Sequence, residues 1–373
     1  MISIASRPTP SEKGYDKPER AGRASQDDED LRKLLEARKA NIKVVGVGGA
    51  GNNTISRMMQ VGVIGAEVVA VNTDAQDLLY TDSDRKVLIG RELTRGLGAG
   101  ADPQIGLEAA KENKDDLKEA LAGADLVFIT CGLGGGTGTG ASGVVAEVAK
   151  KAGAITVGVV TLPFSMEGSH RMDNARFGFD QLQKNADTLI VIPNDKLLEV
   201  VPDVGIMTAF KVADEILVNA VKGITELITK PGLVNLDFAD VRTIMRDGGL
   251  AMIGLGESDS DKRALEAVEK ALNNPLLDVD IDGATGALIN VSGGADVTIK
   301  ECQQVVEAVT RKLDKDAKTI WGAMVNKELG DVVRAMIVVT GVKKSDIFNG
   351  HALPFDKKKA AEIEKVLGID FVE

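Results

Sequence analysis

From residue 42 onward, short apolar runs alternate with stretches of helical pattern. The runs at 43–47, 67–72, 87–89, 126–131, 156–162 and 188–192 are rich in Val and Ile and nearly continuous in apolar character. Strands covered on both faces read this way, because neither face needs polar residues. Helical composition fills gaps such as 115–121 and 143–151. The alternation predicts a doubly wound, Rossmann-like α/β domain with a parallel sheet. A long helix follows at about 208–229, with Ile216, Ala220, Gly223 and Leu227 on one side and Leu217, Val221, Ile224 and Ile228 on another. A helix apolar on more than one face is buried between two bodies, and Pro231-Gly232 ends this one. Strand patterns at 250–254, 287–291, 319–325 and 333–340 then flank helices at 261–272 and 299–312. The last two strands follow each other directly, which predicts a second α+β domain with a mixed sheet.

The expected divisions are a polar arm at 1–40, read as disordered with a short charged helix, a first domain at 41–207, a central helix at 208–230, a second domain at 231–345 and a tail at 346–373. Two domains suit a chain of 373 residues. With 45 basic against 56 acidic residues, the net charge of −11 argues against a general binder of nucleic acid or anionic membrane. Two Cys and two His exclude a disulfide framework and a structural zinc site, and suit a reducing compartment. No apolar run approaches the ~20 residues of a membrane helix, and residues 1–30 lack a signal-peptide core, so the expected location is cytoplasmic. Composition departs from the ordinary in glycine: 41 residues, about 11% where ~7% is usual.

Many of those glycines sit in two loops. Gly46-Val47-Gly48-Gly49-Ala50-Gly51-Asn52-Asn53 follows the first strand and opens a helix. Glycine there lets backbone N–H groups approach an anion, and the helix N-terminus adds partial positive charge. A tight strand-to-helix turn is the plainer alternative. The second loop, Gly132-Leu133-Gly134-Gly135-Gly136-Thr137-Gly138-Thr139-Gly140, follows the fourth strand. In a doubly wound sheet these two loops flank the crevice where strand order reverses, so phosphates would be gripped from both sides. No G-x-x-x-x-G-K-[ST] occurs, which excludes a Walker loop.

Residues 134–140 resemble the signature of the tubulin/FtsZ family, and 48–53 resemble its first nucleotide loop. Asn72-Thr73-Asp74-Ala75-Gln76 and Gly96-Leu97-Gly98-Ala99-Gly100-Ala101 resemble the second and third loops. Leu162-Pro163-Phe164 with Glu167, Gly168 and Arg171 resembles the fifth, and Pro193-Asn194-Asp195-Lys196 the sixth. The likeness runs from about Ile42 to Val342 and is nearer to archaeal-type FtsZ than to bacterial FtsZ or eukaryotic tubulin. Ser142-Gly143 departs from it, standing where the family often has Pro, and suggests a more flexible helix start.

The resemblance implies a GTPase holding GTP or GDP through Gly48, Gly49, Ala50, Gly51, Asn52 and Asn53, and through Gly134, Gly135, Gly136, Thr137, Gly138, Thr139 and Gly140. Ala99, Gly100 and Ala101 would meet the γ-phosphate, Glu167 the ribose, and Arg171 the ribose and phosphates. Asn194 would belong to the same site, and Phe210 would stack on the base. Asp214, at i+4 from Phe210, would accept from guanine N1–H and the 2-amino group. Mg²⁺ would bridge the phosphates largely through water, near Asp74 and Gln76, with no direct protein ligand. From residue types alone, Glu167, Arg171 and Asp214 read as surface charges and Phe210 as core.

Asn235, Asp237 and Asp240 follow the long helix. The resemblance makes them hydrolytic residues that enter the nucleotide pocket of the next subunit, so a head-to-tail contact that does not close builds a filament. Composition alone makes Asn235 or Asp237 a helix cap. The implied role is a cytokinetic ring at the division site, with Ile369–Val372 of the tail docking to a membrane adaptor of SepF type. Direct membrane insertion and nucleic acid are not expected. Two alternatives stay open: a NAD-dependent oxidoreductase built on Gly46–Gly51, and a tubulin-like shape or cytoskeletal protein without a division role. His170 reads as exposed, Cys131 and Trp321 as core.

Overall fold

Six strands of the first half are parallel, and the helices that return the chain between them cover both faces. The computed structural model describes residues 40–342, except Ile64, 201–205, Pro231, Asn235 and 278–283. The arm, the tail with its proposed docking segment, and Asn235 therefore lie outside the described residues. The first half runs β1 (Ile42–Val47), α1 (Gly48–Val61), β2 (Ala66–Asn72), α2 (Ala75–Tyr80), β3 (Arg85–Leu88), α3 (Arg91–Thr94), α4 (Pro103–Glu112), α5 (Lys114–Leu121), β4 (Leu126–Gly132), α6 (Thr137–Lys151), β5 (Ile155–Leu162), α7 (Ser169–Asn185), β6 (Thr188–Pro193) and α8 (Asn194–Val200). After the long α9 (Ile206–Thr229) come α10 (Phe238–Met245), β7 (Gly249–Ser258), α11 (Arg263–Leu272), β8 (Gly286–Gly293), α12 (Ile299–Thr310), β9 (Lys318–Val325) and β10 (Val333–Thr340).

Among the described residues the strands form one sheet, ordered β3-β2-β1-β4-β5-β6-β7-β10-β8-β9. Strand order reverses between β1 and β4, so the loops after these two strands face each other across a crevice. The second half is mixed, as its pattern predicts: β10 lies antiparallel between β7 and β8, and β9 is parallel to β8. It is not a separate sheet, however. β7 continues the first half's sheet by pairing parallel to β6 through Thr188–Gly249, Leu189–Leu250 and Ile190–Ala251.

Helix α9 has the two-sided burial its pattern predicts. Ile216, Leu217, Ala220, Val221, Ile224 and Leu227 are all buried, against α1 and β5 on one side and β8 on the other. Near its start Phe210 meets Phe164 edge-on, with ring centroids 5.3 Å apart, just past the C-terminal end of β5. At its end Thr229 packs on Gly65, just before β2 begins. These strands are parallel, so α9 crosses the sheet from the end with the glycine loops to the opposite end, about 28 Å between Phe210 and Thr229 at ~1.5 Å per residue.

Helices α4 and α6 cross with their backbones in contact. A Cβ on Gly140 would lie 2.0 Å from the Pro103 carbonyl oxygen, and one on Gly106 would lie 2.4 Å from that of Gly136. The expected looseness at Ser142-Gly143 gives way to packing: both residues are buried within α6, and the missing Cβ of Gly143 admits the Gln181 side chain of α7.

Candidate functional site

The two glycine loops meet at the crevice. Gly48 has φ +71°, and a Cβ there would lie 2.7 Å from the Gly138 backbone nitrogen, so the loops touch backbone to backbone. Gly51 packs as closely on the Thr130 carbonyl of β4. Gly49 and Gly135, by contrast, have open space where a side chain would go. Gly134 adopts φ +106°, and its N–H donates to Thr139 Oγ1 at 2.9 Å.

Neighbouring loops are tied to this pair. The hydroxyls of Thr73 and Thr137 lie 2.6 Å apart. Asn174 of α7 donates to the carbonyls of Ala101 and Gly134, at 3.1 and 3.3 Å, clamping the third loop to the signature loop. In that third loop Gly96, Gly98 and Gly100 have positive φ, and so does Ala101 at +63°. A non-glycine residue there holds roughly 1 kcal/mol or more of strain. Asp74 caps α2 by accepting from the N–H groups of Gln76 and Asp77, at 2.9 and 3.1 Å. Asn52 and Asn72 both donate to Asp77 Oδ2, at 3.1 and 2.6 Å, joining the first loop's helix to the end of β2.

Two buried acceptors here have no partner among the described residues: Asn52 Oδ1 and Asn194 Oδ1. An unpaired buried acceptor costs about 1–3 kcal/mol, and a ligand's donor would relieve it. Phe210 is 39% exposed at the same end of the molecule, unlike the core residue that its type alone suggests. Asp214 is half-buried and its Oδ1 accepts from Thr54 Oγ1 at 3.1 Å. Burial pushes its carboxyl up to about 6, the neighbouring Glu215 adding to the effect and Thr54 and Arg57 opposing it. Glu167 and Arg171 do not stand apart as separate ligands: they pair at 2.7 Å. His170 is exposed, Cys131 is buried and Trp321 is half-buried against the core, in line with their sequence readings.

Asp237 and Asp240 are far from these loops. Leu233 and Val234 follow α9 and bond to Ala323 of β9, and the two acids stand just beyond, at the start of α10. They form a capping box: Asp237 Oδ1 accepts from the Asp240 N–H at 2.9 Å, and Asp240 Oδ2 accepts from the Asp237 N–H at 3.3 Å. The cap reading from composition therefore holds for Asp237. Each bond uses one oxygen, and a carboxylate has about four lone-pair sites, so both acids keep acceptor capacity. Among the described residues no cluster of three His, Cys, Asp or Glu is placed to hold a metal. The α2 cap uses only Oδ1 of Asp74, so its second oxygen has the chemistry to hold a water of a phosphate-bound magnesium ion.

Several of these links escape a sequence reading. Thr54–Asp214, Asn52–Asp77 and Asn174–Gly134 join residues far apart in the chain, and nothing in the local pattern signals them. Glu167–Arg171 is different: its i, i+4 spacing is a local signal of pairing.

A doubly wound sheet with paired glycine loops at its switch point defines an α/β protein of the nucleotide-binding class. Residues 41–202 match the Tubulin/FtsZ family GTPase domain, and 249–343 match the FtsZ family C-terminal domain. Cell division protein FtsZ 1 of Thermococcus kodakarensis is 67% identical over 315 residues, 84% of each chain. That of Methanocaldococcus jannaschii is 57% identical over 342 residues, 92% of this chain and 94% of the relative. A solved structure described as an empty FtsZ dimer from M. jannaschii superposes with TM-score 0.82 at 56% identity, covering 88% of this chain and 99% of that one. The chain belongs to the FtsZ branch of the tubulin/FtsZ GTPase family. The oxidoreductase alternative falls with that result. It also lacks the acid that would end β2: Asn72 stands there, bonded to Asp77.

Proposed function

We propose that the protein binds GTP in the crevice between the glycine loops, polymerises head to tail and hydrolyses GTP at the contact between subunits, as a division protein acting in a ring at the division site. One observation supports the reading: α9 runs between opposite ends of one molecule, and the residues read as nucleotide-binding and as hydrolytic fall at its two ends. Phe210 and Asp214 lie with the glycine loops, while Asp237 and Asp240 lie beyond the far end. Neither half works on the other within one chain, and a second copy stacked end to end brings them together.

In this reading Phe210 stacks on the base, Asp214 accepts from guanine N1–H and the 2-amino group, and Asn194 Oδ1 gains a donor. Backbone N–H groups at 48–51 and 134–140 hold the phosphates, with those of 99–101 at the γ-phosphate. Glu167 and Arg171 open their mutual pair toward ribose and phosphate. Asp237 and Asp240 of the next subunit orient and polarise a water. Its oxygen bonds to the γ-phosphorus, the bond from that phosphorus to the bridging oxygen breaks with the electron pair leaving on GDP, and the water's proton passes to the phosphate released. A bound Mg²⁺ would supply charge neutralisation to the phosphates, and Asp74 and Gln76 would be the residues to hold it through water. The tail, through Ile369–Val372, would dock to a membrane adaptor of SepF type. No described helix is long and apolar enough to cross a membrane, and an adaptor would supply the attachment.

The test is GTPase rate against protein concentration with light scattering alongside. Activity per molecule rises steeply above a critical concentration, together with scattering. A rate per molecule independent of concentration places the whole site in one subunit and rejects the shared-site reading. Deleting residues 368–373 abolishes recruitment to adaptor-coated vesicles and leaves GTPase intact; full recruitment after deletion removes the tail as the docking segment.

A further inference from the structure

Thr54 lies on α1, one turn beyond the first glycine loop, and is fully buried. Its hydroxyl oxygen is 3.1 Å from Asp214 Oδ1 on α9 and 3.1 Å from the Ala50 carbonyl oxygen in its own helix. A hydroxyl has one hydrogen, so the two acceptors compete for it. A carboxylate is the stronger acceptor. Ionised Asp214 therefore takes the bond, and neutral Asp214 donates its own proton to Thr54 while the hydroxyl returns to Ala50.

We propose that Thr54 is a positioning residue for guanine: its hydroxyl keeps the Asp214 carboxylate ionised and fixed in orientation, so that base selectivity is set partly from the phosphate-binding helix. The inference rests on the reading of Asp214 as the guanine acceptor. Only an ionised carboxylate accepts from N1–H and the 2-amino group together, and Asp214 needs help to stay ionised, since burial disfavours its charge. The other charges on this seam largely cancel. Glu215, beside Asp214 on α9, is paired at 2.6 Å with Arg57, one turn past Thr54 on α1. The hydrogen bond that touches the carboxylate itself is the one from Thr54. It is made through Oδ1 and leaves acceptor capacity for two further donors.

The experiment is competitive binding of GTP and ATP to the full-length protein from pH 5 to 8.5, with folding of each variant checked by circular dichroism. Thr54→Val keeps the volume and removes the donor. Loss of one bond to a charged group lowers GTP affinity about tenfold at pH 7 and narrows the GTP/ATP ratio by a similar factor. The pH below which GTP binding is lost moves upward, because the hydrogen bond that opposes protonation of Asp214 is gone. Thr54→Ser, which keeps the hydroxyl, retains the parent ratio and midpoint, whereas a purely packing role would leave the midpoint unmoved in Thr54→Val. Asp214→Asn separates this inference from the reading beneath it. If Asp214→Asn narrows the ratio while Thr54→Val keeps both ratio and midpoint, Thr54 does not position the acid. If Asp214→Asn keeps the ratio, another residue reads the base and both ideas fall. Should Thr54→Val not fold, Thr54→Ala against Thr54→Ser gives the same comparison.

Discussion

Glu167 and Arg171 neutralise each other at the mouth of the crevice. The Arg171 guanidinium donates to Glu167 Oε2 at 2.7 Å, and Glu167 Oε1 accepts from the Phe164 backbone N–H at 2.9 Å. Arg171 is about half exposed, so the pair adds only ~0–1 kcal/mol to folding. Arg171→Ala should therefore leave the urea midpoint nearly unchanged and weaken GDP binding about tenfold, since a charge-assisted contact to phosphate contributes ~1.5–3 kcal/mol. Calorimetric titration of GDP beside urea unfolding checks this. A large stability loss with unaltered binding would make the pair structural.

The capping box predicts a split between two substitutions at Asp237. Asp237→Asn keeps an acceptor for the Asp240 N–H and removes the charge; Asp237→Ala removes both, at about 1 kcal/mol of stability. Turnover at polymerising concentration should fall by ~10²-fold or more in each variant, as expected when one positioned catalytic group is lost. Nucleotide affinity of the isolated subunit should stay close to that of the parent. Full turnover in Asp237→Asn would leave this residue as a cap alone.

Asp214 predicts a pH dependence of folding with an inverted sign. Its folded-state pKa of about 6 lies above the usual carboxylate value, so between pH 4 and 6 the folded state binds more protons than the unfolded one. Stability from this group is present at low pH and lost as pH rises through the folded pKa. In nucleotide-free protein Asp214→Asn should stabilise at pH 7.5, by at most about 3 kcal/mol, with the gain fading toward pH 4.5. Thermal unfolding at several pH values measures it. A variant equally stable or weaker at pH 7.5 would show that the buried charge is not a burden to the fold.

Two glycines of the signature loop predict opposite outcomes. Gly140→Ala forces a Cβ to 2.0 Å from the Pro103 carbonyl, and backbone cannot yield cheaply, so the crossing of α4 and α6 should lose ~1–3 kcal/mol or more. Gly135→Ala meets open space and should change stability by under ~0.5 kcal/mol, while its methyl group intrudes where phosphate would sit and lowers nucleotide affinity. Equal thermal shifts in the two variants would contradict this account.

The strands were the most legible part of the fold. The run at 333–340 has the bounds of β10, because a strand buried on both faces is nearly continuous in apolar residues, here interrupted only by Arg334 before the closing Thr340. Helices α4 and α7 leave little mark in the pattern. In α7 only Ala175, Gly178, Phe179 and Leu182 are buried, among Arg, Asp, Asn and Gln, too sparse a stripe to read. The join of β6 to β7 was also invisible, since residues 194–248 separate the two strands and hydrogen-bond pairing leaves no mark in composition. At the site, motif order pointed to the family, and residue type alone offered Asn235 or Asp237 as a cap, of which Asp237 caps α10. The partnerships of Asp214 and Asp77 arise only when distant helices meet.

The join between β6 and β7 has a mechanical consequence. It consists of three residue pairs, whereas β10 holds β7 through eight. A ladder's resistance to twisting grows with its length, so the three-pair join is expected to be softer than the eight-pair one. A force applied along a stack of such molecules would concentrate its strain at Thr188, Leu189 and Ile190. Those of their amides that face β7 would then exchange with deuterium sooner under load than the amides of β10.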